Sequence, residues 1–233
     1  MKYTQTISKE IMRYTTKEII VANILYKEKF KYVSEPTFYK VLSRLEFNGT
    51  LKRISKGIYC KPEEGKFQKI VANEKNIIDY YIGKYGNKGV FSGYRLFSKY
   101  ELTTQVVKNI ELLSTISNNE KTTIKNISIK KINLKLNQST IKMIEFLEIL
   151  QNYMKIEELN YKKLSEYIEI AANNYNEAMV IKILKSMKYK KSTIASLVNV
   201  LNFYKIETEL NEYLNGTSKY KAIEMEKIHA VAS

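Results

Sequence analysis

The chain has 233 residues, 44% of them apolar, a formal net charge of +15 and a pI near 9.5. It can bury a sizeable core, and its charge favours an anionic partner, either nucleic acid or an acidic protein surface. One cysteine (Cys60), one histidine (His229) and one aspartate (Asp79) exclude an internal disulfide and a His- or Cys-rich metal site, and disfavour two-metal carboxylate chemistry and Ser-His-Asp catalysis.

Of the 39 basic residues only four are Arg, a usage that suits an AT-rich genome, so the position of each charge matters more than the total. Neither GxxxxGK[ST] nor GxGxxG occurs. We therefore expect no enzyme activity, no catalytic residue, no cofactor and no metal. The N-terminal stretch lacks the apolar core of a signal peptide, and the longest apolar run, residues 19–26, is too short to span a bilayer. The expectation is a soluble, cytoplasmic protein with no membrane partner.

In chain order, residues 8–14 predict a first helix. Residues 15–30 predict a second, with Thr16 as N-cap and Glu18 in its first turn. A third starts at Ser34, tolerates Pro36 in its first turn and ends at Asn48-Gly49. Within it Phe38, Val41, Leu42 and Leu45 make one apolar face, while Thr37, Lys40 and Arg44 share the polar one. Two strand-like pieces, "TLKRI" and "GIYCKP", then pair across a Gly-containing turn. Three helices and a two-stranded hairpin are the order of a winged helix-turn-helix, whose third helix enters the major groove.

On that reading Thr37, Lys40 and Arg44 on the helix, with Lys52, Arg53 and Lys56 on the wing, contact DNA. The alternatives are plain: these charges solvate a surface, and Arg44 pairs with Glu35 or Glu46. Tyr59 either packs the wing or stacks on a base.

After a linker near residues 63–68, the pattern reads as a helix, a Gly-rich turn, a short helix and a strand. Residues 124–137 suggest one or two more strands, with Ile132, Leu134 and Leu136 alternating. From Ser139 the chain is helical, with apolar stripes at Leu164/Tyr167/Ile168/Ala171, Val180/Ile183/Leu184/Met187 and Ile194/Leu197/Val198/Leu201, broken at Asn173-Asn174 and Lys190-Lys191. Residues 121–144 and 178–206 each hold six Lys and no acid. Such a face is either solvated or a second surface for an anionic partner.

The stretch "LSRLEFNGTLKRISKGIYCKP" resembles the N-terminal segment of AbiEi-family antitoxins, in which a basic strand, an Arg/Lys-Gly turn, "GIY" or "GVY" and a Pro follow one another. The later "GVFSGYRLFSKYELTTQV" resembles that family's second signature, and the two together cover residues 30–115. One departure stands out: where the family often has Gly before "LTTQ", this chain has Tyr100-Glu101.

The resemblance implies an antitoxin of a type IV toxin-antitoxin (abortive infection) phage-defence system. Its winged helix would repress its own operon at inverted repeats of operator DNA, and its body would oppose a cognate nucleotidyltransferase toxin. Ser92, Gly93, Thr103, Thr104 and Gln105 would be signature residues with a structural role, and Lys185, Lys188, Lys190 and Lys191 an antitoxin surface. The competing readings are a winged-helix transcription regulator with a ligand- or partner-sensing body and no toxin, or a nuclease built on the Lys-rich middle strands.

The expected fold is mainly α with small β elements (α+β). A winged helix-turn-helix domain would span residues 1–66 and an antitoxin domain 67–233, divided into a mixed α/β part (67–137) and an antiparallel helical part (138–233).

Overall fold

A computed structural model describes residues 2–215 and 219–232, and its fold is α+β, with helices dominating two small sheets. The N-terminal region runs α1 (Lys2–Met12), β1 (Ile19–Val21), α2 (Ala22–Leu25), α3 (Glu35–Phe47), β2 (Lys52–Ser55) and β3 (Ile58–Cys60). A wide π-type turn, Tyr26–Phe30, extends α2. The three strands form an antiparallel sheet in the order β1-β3-β2. Phe38 is fully buried at the centre, with its ring 5.3–5.5 Å from those of Tyr26, Phe30 and Tyr39. Ile7, Ile11, Val41, Leu42 and Leu45 pack around it.

The second helix differs from its sequence expectation. Ile19, Ile20 and Val21 form a strand opposite Cys60, Tyr59 and Ile58, because a β-branched run gains more on a pleated, half-buried surface than in a helix. Thr16 is no N-cap; it forms an isolated bridge with Lys61. Glu18 accepts from the Thr15 amide and hydroxyl at 2.8 and 2.9 Å. Ser34 does occupy the N-cap position of α3, but its hydroxyl donates to Thr37 Oγ1 at 2.7 Å rather than capping a backbone amide.

The body begins with α4 (Glu74–Ile82), closed by a reciprocal Asn73/Asn76 capping box. Strands β4 (Gly89–Ser92), β5 (Ile110–Ser114), β6 (Lys121–Ile124) and β7 (Ile127–Lys131) form a sheet in the order β4-β5-β7-β6, with α5 (Gly93–Lys99) after β4. Only β5 and β7 are parallel. The sequence pattern missed β4, and the expected strand character of residues 132–136 is absent, since β7 ends at Lys131. Ile132 and Leu136 are nonetheless buried as the chain crosses to the next helix.

One apolar cluster binds the two regions together. Ile19, Ile58 and Cys60 of the winged sheet pack with Ala72, Ile77 and Tyr81 and with Ile110, Leu112, Ile124, Ile127 and Ile129 of the body sheet. The cluster crosses the expected boundary at residue 66.

Helix α6 (Gln138–Asn152) is the centre of the body, buried on every side from Met143 to Leu150, as a helix enclosed by neighbours must be. Around it lie α7 (Tyr161–Asn173), α8 (Glu177–Ser186) and α9 (Lys191–Phe203), with α10 (Met225–Ala232) against α7. Asn137, Asn160 and Asn176 cap α6, α7 and α8, each accepting from the amide three residues on. Among the described residues no helix is long and apolar enough to cross a membrane.

Candidate nucleic-acid interface

Helix geometry separates two faces of α3. Phe38, Val41, Leu42 and Leu45 point into the core, which leaves Thr37, Lys40 and Arg44 exposed along the opposite side. Lys52 and Arg53 on β2 and Lys56 in the hairpin turn are exposed as well. Arg44 forms no pair with Glu35 or Glu46, and among the described residues Lys40, Arg44, Lys52 and Lys56 make no ion pair and no side-chain hydrogen bond. Arg53 Nε donates to the Ser55 carbonyl across a long 3.4 Å. A row of unpaired, solvated cations on a helix and an adjoining hairpin is what a polyanion displaces counterions to reach.

Tyr59 lies opposite Arg53 in the ladder and is only 5% exposed. Burial pushes its hydroxyl above the ordinary tyrosine range, and the nearby Arg53 charge partly offsets this. The ring is therefore packing material, out of reach of a base.

Two residues beside this surface were not picked out from the sequence. Phe47 is 92% exposed and continues the series Thr37–Lys40–Arg44 at helical spacing. Phe67 is 100% exposed in the segment that the sequence predicts as a linker. The 40, 44, 47 spacing was a visible signal for Phe47. For Phe67 no sequence signal existed, since an aromatic residue in a linker is as compatible with burial as with exposure.

In the body, Ser92, Gly93 and Thr103 are engaged within the fold. Ser92 Oγ donates to Glu148 Oε2 at 2.5 Å, tying β4 to the buried side of α6. Gly93 sits at φ 58°, and a Cβ there would lie 3.1 Å from the Glu111 carboxylate, so a side chain at this position is both strained and crowded. Thr103 Oγ1 donates to the Glu157 carbonyl at 2.9 Å and accepts from the Gln105 amide at 3.2 Å. Thr104 reaches Glu158 at 3.3 Å, and Gln105 is half-buried. Glu101 adopts a left-handed backbone, φ 55°.

Next to this element Glu145, nearly buried, accepts from Lys99 Nζ at 2.6 Å and Tyr100 Oη at 2.5 Å. Burial first, then the Glu145 carboxylate, holds the Tyr100 hydroxyl well above its usual range. A cavity of about 390 Å³ opens beside it, lined by Lys99, Tyr100, Lys142, Met143, Lys163 and Tyr167 among others.

The lysines expected to form an antitoxin surface gather where α8 passes into α9, and all four are exposed. They are not equivalent. Lys191 Nζ donates to the Tyr213 carbonyl, and the Lys190 amide donates to Gln151 Oε1 at 3.2 Å. Lys185 and Lys188 have no such anchor. In the middle sheet Lys121 stands directly opposite Lys130 on the β6–β7 ladder, a like-charge placement that costs stability and guards the edge strand β6 against pairing with another chain. No group of three or more His, Cys, Asp or Glu side chains among the described residues is placed to hold a metal ion.

No family model matches the chain, and no curated protein does. Among solved structures it is similar to the Rv2827c protein from Mycobacterium tuberculosis, at 8% identity and a TM-score of 0.40, over 84% of this chain and 75% of that one. A likeness of that degree carries no argument about function.

Proposed function

We propose that the protein is a DNA-binding antitoxin of the AbiEi type. It binds inverted repeats in its own operator through α3 and the β2–β3 wing, and its body opposes a nucleotidyltransferase toxin. The observation that carries the DNA half is the unpaired, exposed set Lys40, Arg44, Lys52 and Lys56 on contiguous elements of a winged helix-turn-helix. The toxin half rests on the resemblance of residues 89–106 and of the wing to that family. This reading gives the protein no catalytic residue, cofactor or metal, and places it in the cytoplasm beside its operon.

One observation favours a second reading, a regulator whose body senses a small ligand. The cavity beside Tyr100 and Tyr167 has the volume of a small-molecule site.

Co-expression with the adjacent gene decides between them. If that gene encodes a nucleotidyltransferase that arrests growth, the full chain restores growth, and reversal of Lys185 and Lys188 to Glu removes the rescue without lowering the melting temperature. An adjacent gene of another kind, with operator binding intact, leaves the regulator reading.

A further inference from the structure

The segment after the wing is built like a second wing. Glu63 and Ile70 exchange two backbone hydrogen bonds, each 2.8 Å, which close residues 63–70 into a narrow loop. Its turn is tight: a Cβ on Gly65 would fall 2.4 Å from the Gln68 carbonyl oxygen, so no other residue fits without moving the backbone. Lys69 then docks the loop. Its Nζ donates to the Gly49 carbonyl at 3.1 Å and pairs with Glu64 at 3.1 Å. At the tip of this fixed loop Phe67 is wholly in solvent, beside exposed Lys66.

Position and charge select the occupant. Gly49 follows the C-terminal end of α3, so Lys69 holds the loop just beyond the stripe of Lys40, Arg44 and Phe47. Because Lys52 pairs with Cys60, β3 carries the chain back from the turn at Lys56. The loop therefore leaves the hairpin at the end opposite that turn. The loop's own carboxylates are neutralised, Glu63 by Lys17 and Glu64 by Lys69, which leaves Lys66 uncompensated. Residues 35–70 hold eight basic against four acidic side chains. An exposed aromatic tip on an anchored loop, among cations, suits a duplex. Apolar side chains of this size wedge between base steps in the minor groove and unstack them, while neighbouring lysines meet the phosphates.

We infer that residues 63–70 form a second DNA-contacting wing in which Phe67 inserts at a base step and Lys66 binds a phosphate. The inference rests on the DNA-binding reading above and goes beyond it, by naming the residue that deforms the duplex.

The test uses the full chain and the duplex upstream of its own coding sequence, with 2-aminopurine placed at successive positions to report unstacking. The expected result is a rise in fluorescence at one step on binding. Phe67→Ala abolishes it and weakens binding about tenfold, and Phe67→Leu preserves both. Phe67 is fully exposed, so its replacement leaves no cavity in the fold. If Phe67→Ala binds and reports like the wild type while Arg44→Ala binds weakly, DNA binding stands and the second wing is wrong. If the wild type binds no duplex, the DNA reading fails and takes this inference with it. A change in the sedimentation of the free protein on Phe67→Ala would assign the tip to a second copy of the chain and overturn the proposal.

Discussion

On α3 and the wing, Lys40, Arg44, Lys52 and Lys56 stand in solvent with no carboxylate partner, whereas beside α5 and α7 Lys99 and Lys163 are engaged. Lys99 holds Glu145 at 2.6 Å, and Lys163 bridges Glu166 at 3.1 Å and Glu101 at 3.4 Å. Both regions are rich in lysine, and the sequence alone makes them look alike. What separates them is where the acids lie. The body buries Glu145 and Glu148 inside α6, and a buried carboxylate recruits donors because its desolvation is otherwise uncompensated. Among the described residues the winged region buries no acid, so Lys40, Arg44, Lys52 and Lys56 remain available to an external anion.

Removing cations from each region should break different properties. Arg44→Ala, Arg53→Ala and Lys56→Ala combined should weaken operator binding about 100-fold at physiological salt, and lower the slope of log K against log salt by about 2.7 if all three meet phosphates. The melting temperature should stay within about 2 °C, since these side chains are exposed and their one hydrogen bond, Arg53 to the Ser55 carbonyl, is long. Fluorescence anisotropy over a salt series measures the first effect, calorimetry the second. Unchanged binding would mean that the free cations only solvate the surface.

Lys99→Ala should do the reverse. Glu145 would keep Tyr100 but lose its charge partner while only 3% of its side chain is exposed. Complete burial of such a pair would make the loss about 3–5 kcal/mol. Lys99 itself is 47% exposed, so solvent screens the interaction and about 2 kcal/mol is expected. That corresponds to a melting temperature lower by about 4–8 °C, with operator affinity unchanged. Lys99→Met together with Glu145→Gln should recover most of the loss, because no buried charge is then left behind. A loss of DNA affinity in Lys99→Ala would show that the two regions are coupled through the shared cluster of Ile19, Ile58 and Cys60.

Much of this arrangement was legible in the sequence, and the omissions share a cause. Helix α3 and the β2–β3 hairpin follow local signals: a 3.6-residue period, a proline in the first turn and a glycine in the hairpin. Strand β1 was hidden because Ile19–Val21 fits a helical pattern as well, and its partner Cys60 lies some forty residues on. Strand β4 was hidden in the same way, needing β5 beside it. For the site, the cations were legible because polar residues opposite an apolar stripe must face water. The exposed Phe47 and Phe67 were not, since nothing local tells whether a neighbour covers an aromatic ring. Glu145 and Glu148 failed in the opposite sense: their charge argues for solvent, and only the packing of β4 and α5 against α6 places donors over them.

The smallest expected effect lies where the winged region does pair a cation. Glu10 on α1 accepts from Lys29 in the turn after α2 and from Arg13 at 3.0 Å, which joins α1 to the helix-turn-helix. The Lys29 hydrogen bond, followed by the Lys29 and Arg13 charges, holds the Glu10 carboxyl below its ordinary value of 4.5, against the opposing pull of desolvation. A depressed carboxyl favours the folded state while it is ionised. Its contribution is therefore complete above the unfolded value of about 4.5 and is lost as pH falls through the lower folded value. Lys29 and Arg13 remain 47% and 70% exposed, so salt and water limit the gain, and Glu10→Gln should lower the melting temperature by only about 1 °C at pH 7. The difference between variant and wild type should shrink in high salt and vanish at strongly acidic pH. A larger loss that persists at low pH would mean that Glu10 acts through packing of α1 on α3, and that paired and unpaired cations differ less in this region than the geometry indicates.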